Sequence, residues 1–119
     1  MRVLVVDDSA DTADTFALLL QLQGVEVRVA YDGLSAVSIA REFRPRVVVL
    51  DLGLPGLDGW EVARKLKALD KAPFLVAVTG YVRDEDRLKS GAAGIDLHLA
   101  KPVEPDFIIQ LLLRLRVAG

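Results

Sequence analysis

The chain has 119 residues, 52% hydrophobic and 27% charged, with mean hydropathy +0.35, a formal net charge of −2 and no cysteine. That length suits one domain, residues 1–119, with a real core, and a near-neutral balance without a Lys/Arg run argues against direct nucleic-acid binding. Disulfides, thiol nucleophiles and Cys-based zinc sites are excluded. No apolar run approaches the ~20 residues needed to span a bilayer, and no signal-peptide pattern precedes Val3, so the expectation is a cytoplasmic chain without membrane insertion.

Five short apolar runs recur along the chain: Val3–Val6, Val25–Ala30, Val47–Leu50, Phe74–Val78 and Leu97–Ala100. Their length and Val/Leu content predict strands. Val25–Ala30 differs because Val25, Val27 and Val29 alternate with Glu26, Arg28 and Ala30. A half-exposed edge strand has that pattern, whereas continuous apolar runs mark strands buried on both faces. The intervening segments carry helical periodicity over 11–23, 34–43, 59–69, 84–92 and 105–117. Gly24 suits the position just past a helix end. Asp32, Asp58 and Asp84 suit N-caps, and Pro45, Pro73 and Pro105 fall at boundaries.

Strict β-α alternation predicts an α/β fold: a doubly wound parallel sheet with right-handed crossovers and helices on both faces. A flavodoxin-like (βα)5 order of 2-1-3-4-5 puts the alternating second strand at an edge, where its pattern belongs. In that order the first and third strands are neighbours. Asp7 and Asp8 follow the first strand, Asp51 the third and Lys101 the fifth, while Thr79 ends the fourth. All lie at the carboxyl edge of the sheet, and the crevice there is where such sheets bind ligands.

Converging carboxylates resist joint ionisation unless positive charge sits among them. Mg²⁺, which takes one or two carboxylates plus waters and phosphate oxygens, is one candidate, and the Lys101 ammonium is another. Together with the Thr79 hydroxyl and a free carboxylate, these groups are equipped for phosphoryl chemistry with a carboxylate nucleophile.

At this point the chain resembles the receiver domains of two-component response regulators over essentially its whole length. The matching segments are Val3-Leu-Val-Val-Asp-Asp8, Val48-Val-Leu-Asp-Leu-Gly-Leu-Pro-Gly-Leu-Asp-Gly59, Val78-Thr-Gly80 and Leu99-Ala-Lys-Pro102. The resemblance implies that Asp51 accepts a phosphoryl group from the phosphohistidine of a sensor histidine kinase or phosphotransfer domain. It implies that Asp8 and Asp51 bind Mg²⁺ through side chains and Gly53 through its carbonyl, with Asp7 holding the metal's water. It implies that Thr79 and Lys101 meet the phosphoryl group, that Lys101–Pro102 is cis, and that the chain is a switch rather than a turnover enzyme. One departure is His98, which stands where many receivers carry Tyr or Phe. The surrounding Asp96-Leu-His-Leu-Ala-Lys-Pro-Val103 is more similar to receivers of hybrid kinases or stand-alone modules.

Two other functions compete. An aspartyl phosphohydrolase normally has a second Asp two positions after its nucleophile, where this chain has Gly53. A docking module that takes no phosphate would have no need of the complete set Asp7, Asp8, Asp51, Thr79 and Lys101. Trp60 and Tyr81 are expected near the site rim, with packing the simpler role for each. In the last helix Phe107, Ile108, Leu111, Leu112 and Leu115 form one arc that suits the core. Ile109, Leu113 and Val117 form a second stripe, read as a contact surface for a dimer mate or neighbouring domain, or as covered by the 84–92 helix and the stems of Arg114 and Arg116.

Overall fold

The computed structural model describes residues 1–53, 58–80 and 91–118, without the side chains of 116–118. Five strands, β1 (Arg2–Val6), β2 (Glu26–Ala30), β3 (Val47–Asp51), β4 (Phe74–Thr79) and β5 (Leu97–Ala100), form one sheet in the order β2-β1-β3-β4-β5. Every pairing is parallel. Among the described residues there are four full helices: α1 (Ala10–Leu22), α2 (Gly33–Phe43), α3 (Gly59–Lys67) and α4 (Pro105–Ala118). Residues 91 and 92 are helical, but most of the expected 84–92 helix, with Asp84, lies outside the described residues, as do Tyr81 and the side chain of Val117.

The period-2 geometry of strands sorts the core into two layers. Leu4, Val6, Val48, Leu50, Leu75 and Ala77 face α2 and α3. Val3, Val5, Val47, Val49, Val76 and Val78 face α1 and α4. β3 is buried along its whole length, whereas β2 alternates exposed and half-buried positions, as an outer strand should. Asp32 caps α2 by accepting from Ser35 N at 2.7 Å, and Asp58 caps α3 by accepting from Trp60 N at 2.9 Å. Gly24 has φ 81° just beyond α1, a conformation glycine adopts without a Cβ clash.

The last helix departs from expectation. Ile108, Ile109 and Leu112 are its buried centre and Leu113 packs against the same core, while Phe107 is 56% exposed. So Ile109 of the second stripe is buried in the core and Leu113 packs half-buried against it, while the side chain of Val117 lies outside the described residues. The apolar arc is rotated toward them by less than one residue's turn of about 100°.

Candidate functional site

Strand phase delivers the site residues to one place. Asp7 continues the Val3, Val5 phase of β1, Asp51 the Val47, Val49 phase of β3, and Lys101 the Leu97, Leu99 phase of β5. All three therefore share the α1/α4 side of the sheet. The β1–β3 register pairs Val6 with Leu50, so one step further on Asp7 stands beside Asp51. Carboxylate oxygens of Asp7, Asp8 and Asp51 all lie within 4.8 Å of one another. These residues line a cleft of about 930 Å³ with Lys101, Thr12, Phe16, Val103 and Ile108.

Asp51 is the buried charged residue of the described core, 7% exposed. Its Oδ1 accepts from Gly53 N at 2.9 Å and its Oδ2 from Lys101 Nζ at 3.0 Å. A buried carboxylate needs such partners, because desolvation penalises an unpaired charge heavily. Lys101 N donates to Thr79 O at 2.7 Å, which ties the lysine to the end of β4, and the Lys101–Pro102 bond is cis. Thr79 is half-buried at that strand end, and its β-strand phase is opposite to that of Val78. Gly53 is exposed beside Asp51; a Cβ there would stand 3.4 Å from Asp51 Oδ1. His98 is half-buried on β5, paired with Ala77. Trp60 packs against the α2/α3 core layer.

Electrostatics follow from this crowding. Burial pushes the Asp7 carboxyl above its ordinary 3.8, and the charges of Asp51 and Asp8 push the same way. The Ser9 N–H bond and Lys101 oppose them without cancelling them. For Lys101 burial works downward, but the Asp51 hydrogen bond and the charges of Asp51, Asp7 and Asp8 outweigh it, so its pKa is raised. The cluster thus holds an excess of negative charge that one ammonium does not neutralise.

Hard oxygen donors with excess negative charge fit a hard divalent cation such as Mg²⁺. Sequence reasoning missed Ser9, whose N–H holds Asp7 Oδ1 at 2.9 Å. The signal was there to read: an Asp followed two positions later by a turn residue forms an Asx turn.

The sequence model of the family described as "Response regulator receiver domain" matches residues 3–113. The chain belongs to the response-regulator receiver family. Receivers are the phosphorylated-aspartate signalling domains of two-component systems, and they work with histidine kinases or phosphotransfer partners. The DNA-binding response regulator MtrA of Mycobacterium tuberculosis is 36% identical over 116 residues, covering 97% of this chain and 50% of MtrA. The receiver therefore spans about half the length of that relative. A CheY-like receiver domain protein from Methanospirillum hungatei superposes with TM-score 0.89 at 27% identity, covering 95% of this chain and 90% of that one. A Burkholderia pseudomallei response regulator, solved "with a phosphorylated aspartic acid, calcium ion and citrate", superposes with TM-score 0.84 at 28% identity, covering 91% and 64%.

Among the described residues no helix is long and apolar enough to cross a membrane.

Proposed function

We propose that Asp51 is the phosphoryl acceptor of this receiver. The supporting observation is a buried carboxylate at the end of a central strand, bonded to Lys101 and grouped with two further aspartates. An oxygen of Asp51 attacks the phosphorus of a partner's phosphohistidine. The new P–O bond forms as the P–N bond breaks, and the imidazole leaves. Asp8, Asp51 and the Gly53 carbonyl are the groups proposed to hold Mg²⁺, with Asp7 beside them to hold its water. Bound there, the cation would supply charge neutralisation for the phosphoryl oxygens.

The chain's own residues do the rest. Gly53 N and Lys101 orient the Asp51 carboxylate, and Lys101 then pairs with phosphoryl oxygens, a charge-assisted bond stronger than a neutral one. Thr79, at the adjacent strand end, donates its hydroxyl to the same group. Added charge at Asp51 then biases the two arrangements of the surrounding loops by its different interaction energy with each. The phosphorylated Burkholderia regulator supports the aspartyl-phosphate assignment, and its calcium ion agrees with a hard-cation site. Loss of the phosphoryl group to water, assisted by the same residues, returns the switch to its resting state.

Incubation with Mg²⁺ and a small acyl phosphate, followed by intact-mass measurement, tests this. One phosphoryl group that needs Mg²⁺ and disappears in Asp51→Asn is the expected result. No incorporation would replace the switch with a docking module. Rapid donor turnover with nothing retained would favour a hydrolase.

A further inference from the structure

The outer edge of β2 carries a self-complementary pattern. Glu26 N donates to Met1 O, and Ala30 O accepts from Asp7 N, so the backbone of residues 26, 28 and 30 is turned toward β1. By the alternation of strands, the N–H and C=O of Val27 and Val29 point outward from the sheet. Among the described residues no strand pairs on that side. The flanks are apolar as well. Of the large apolar side chains exposed in the described structure, Leu18, Leu22, Tyr31 and Leu34 lie around β2, and Phe107 alone lies elsewhere. Tyr31 OH donates to Asp14 Oδ1 at 2.6 Å, which turns the Asp14 side of α1 toward β2. Leu18 and Leu22, four and eight residues further along, follow that side.

We propose that β2 is the pairing edge of a homodimer, joining two copies antiparallel about a two-fold axis at Val27. A two-fold contact pairs one strand with itself, so outward groups on 27 and 29 restrict the choice of register. Centring on Glu26 or on Arg28 sets like charges opposite each other, which is destabilising. Centring on Val29 places Arg28 against Ala30. Centring on Val27 sets Glu26 opposite Arg28 of the second copy, twice by symmetry. In that register Val27 exchanges both backbone groups with its mate, and the Val29 N–H reaches the mate's Val25 carbonyl. A two-fold axis normal to the sheet keeps α1 and its mate on one side, where Leu18 and Leu22 face their equivalents.

Both charged residues can change partner. Glu26 meets Arg2 at 3.4 Å with both side chains at least half exposed, a weak pairing at such sites. Arg28 is exposed and its guanidinium lies over the Phe43 ring at 4.8 Å, a stacking that occupies the face of the group and none of its N–H donors. The dimer contact runs along the outer edge of β2 and leaves the Asp51 cleft at the carboxyl end of the sheet open.

Sedimentation equilibrium on the full chain, from about 10 µM to about 1 mM, decides the matter, since a contact this small is of the weak class. The expected result is a monomer–dimer equilibrium whose dissociation constant rises at least about tenfold in Arg28→Glu, a change of about 1.4 kcal/mol. The exchanged pair Glu26→Arg/Arg28→Glu should return it to within about threefold of the starting value, because the opposed charges are restored. Val27→Pro removes an outward N–H without touching the β1 ladder and should abolish the dimer. Circular dichroism on each variant separates loss of pairing from loss of fold. A monomer throughout the range would overturn the proposal, and so would a dimer indifferent to Arg28→Glu or a double variant that fails to recover.

Discussion

Lys101 Nζ sits 3.0 Å from Asp51 Oδ2 across fifty residues of sequence, on the far side of β4 from the carboxylate it serves. Asp51 is nearly enclosed, while the lysine remains 43% exposed at its side chain. The pair therefore joins a buried anion to a cation that solvent still reaches. The raised Lys101 pKa keeps the ammonium protonated from neutral pH to beyond the ordinary lysine value of 10.5. Whatever stability it contributes is fully present below the unfolded lysine pKa and is lost as pH rises through the folded one. Lys101→Ala should slow phosphoryl incorporation from an acyl phosphate by on the order of 10²-fold, the usual cost of removing one charge stabiliser from a reacting site. Lys101→Arg keeps the charge and should recover part of that loss. Stopped-flow quenching of intrinsic fluorescence or timed intact mass gives the rates. Equal rates in wild type and Lys101→Ala would remove the lysine from the reaction.

Asp7 has the opposite linkage. Its raised pKa means that the folded state holds a proton more readily than the unfolded chain. The ionised carboxylate therefore costs stability at neutral pH. That cost is relieved as pH falls through the folded value, and it is gone below the unfolded value near 3.8. Asp7→Asn should raise Tm in metal-free buffer at pH 7 by about 2–4 °C, for roughly 0.5 kcal/mol after solvent screening. The same variant should lose most of the stabilisation that Mg²⁺ gives the parent protein. In the parent, Mg²⁺ affinity should fall as pH drops from 7 toward 5, because protons compete for Asp7. Thermal unfolding with and without Mg²⁺ at the two pH values measures all three effects.

Much of this was legible because strands have period 2. The alternation of β2 marked it as an edge, and the positions of Asp7, Asp51 and Lys101 just past apolar runs marked one end of the sheet. What stayed hidden was longer-range or degenerate. α4 is apolar on so many sides that periodicity could not choose which arc is central, and packing against the sheet moved Phe107 out and Ile109 in. The pairing of Lys67 with Asp96 joins side chains 29 residues apart on elements whose contact no local motif announces. The hydrogen bond between Tyr31 and Asp14 is similarly silent in sequence.

That Lys67–Asp96 contact makes its own prediction. Asp96 Oδ2 accepts from Lys67 Nζ at 2.6 Å and from Leu75 N at 2.8 Å, and Lys67 also donates to Pro73 O at 2.9 Å. One carboxylate oxygen thus fastens the end of α3 and the start of β4 to the start of β5. Asp96→Ala removes the acceptor of a partly buried backbone N–H and should cost about 1–3 kcal/mol. Asp96→Asn keeps an acceptor oxygen and loses the ion pair, which at partly exposed positions is worth below about 1 kcal/mol. Urea unfolding of the two variants compares them directly. If Asn costs as much as Ala, the ion pair and not the backbone bond carries the clamp. Asp51 lies at the opposite end of the sheet, so phosphoryl incorporation should be unchanged in both.

Arg44 closes α2 in the left-handed region, φ 52° and ψ 62°, with its N–H donating to Ala40 O at 2.9 Å. A non-glycine residue pays about 1–2 kcal/mol for that conformation, because Cβ crowds the backbone. The Arg44 side chain is exposed, and among the described residues no bond of it offsets the strain. Glycine would remove the crowding but lose more conformational entropy on folding. Arg44→Gly should therefore stabilise the protein by a net of about 0.5–1 kcal/mol, a Tm rise of about 2–8 °C. Arg44→Asn, which tolerates this region better than most side chains, should fall between. Arg44→Ala keeps the Cβ and should change little, so it separates backbone strain from loss of the arginine charge. Equal stabilisation by Ala and Gly would assign the effect to charge instead.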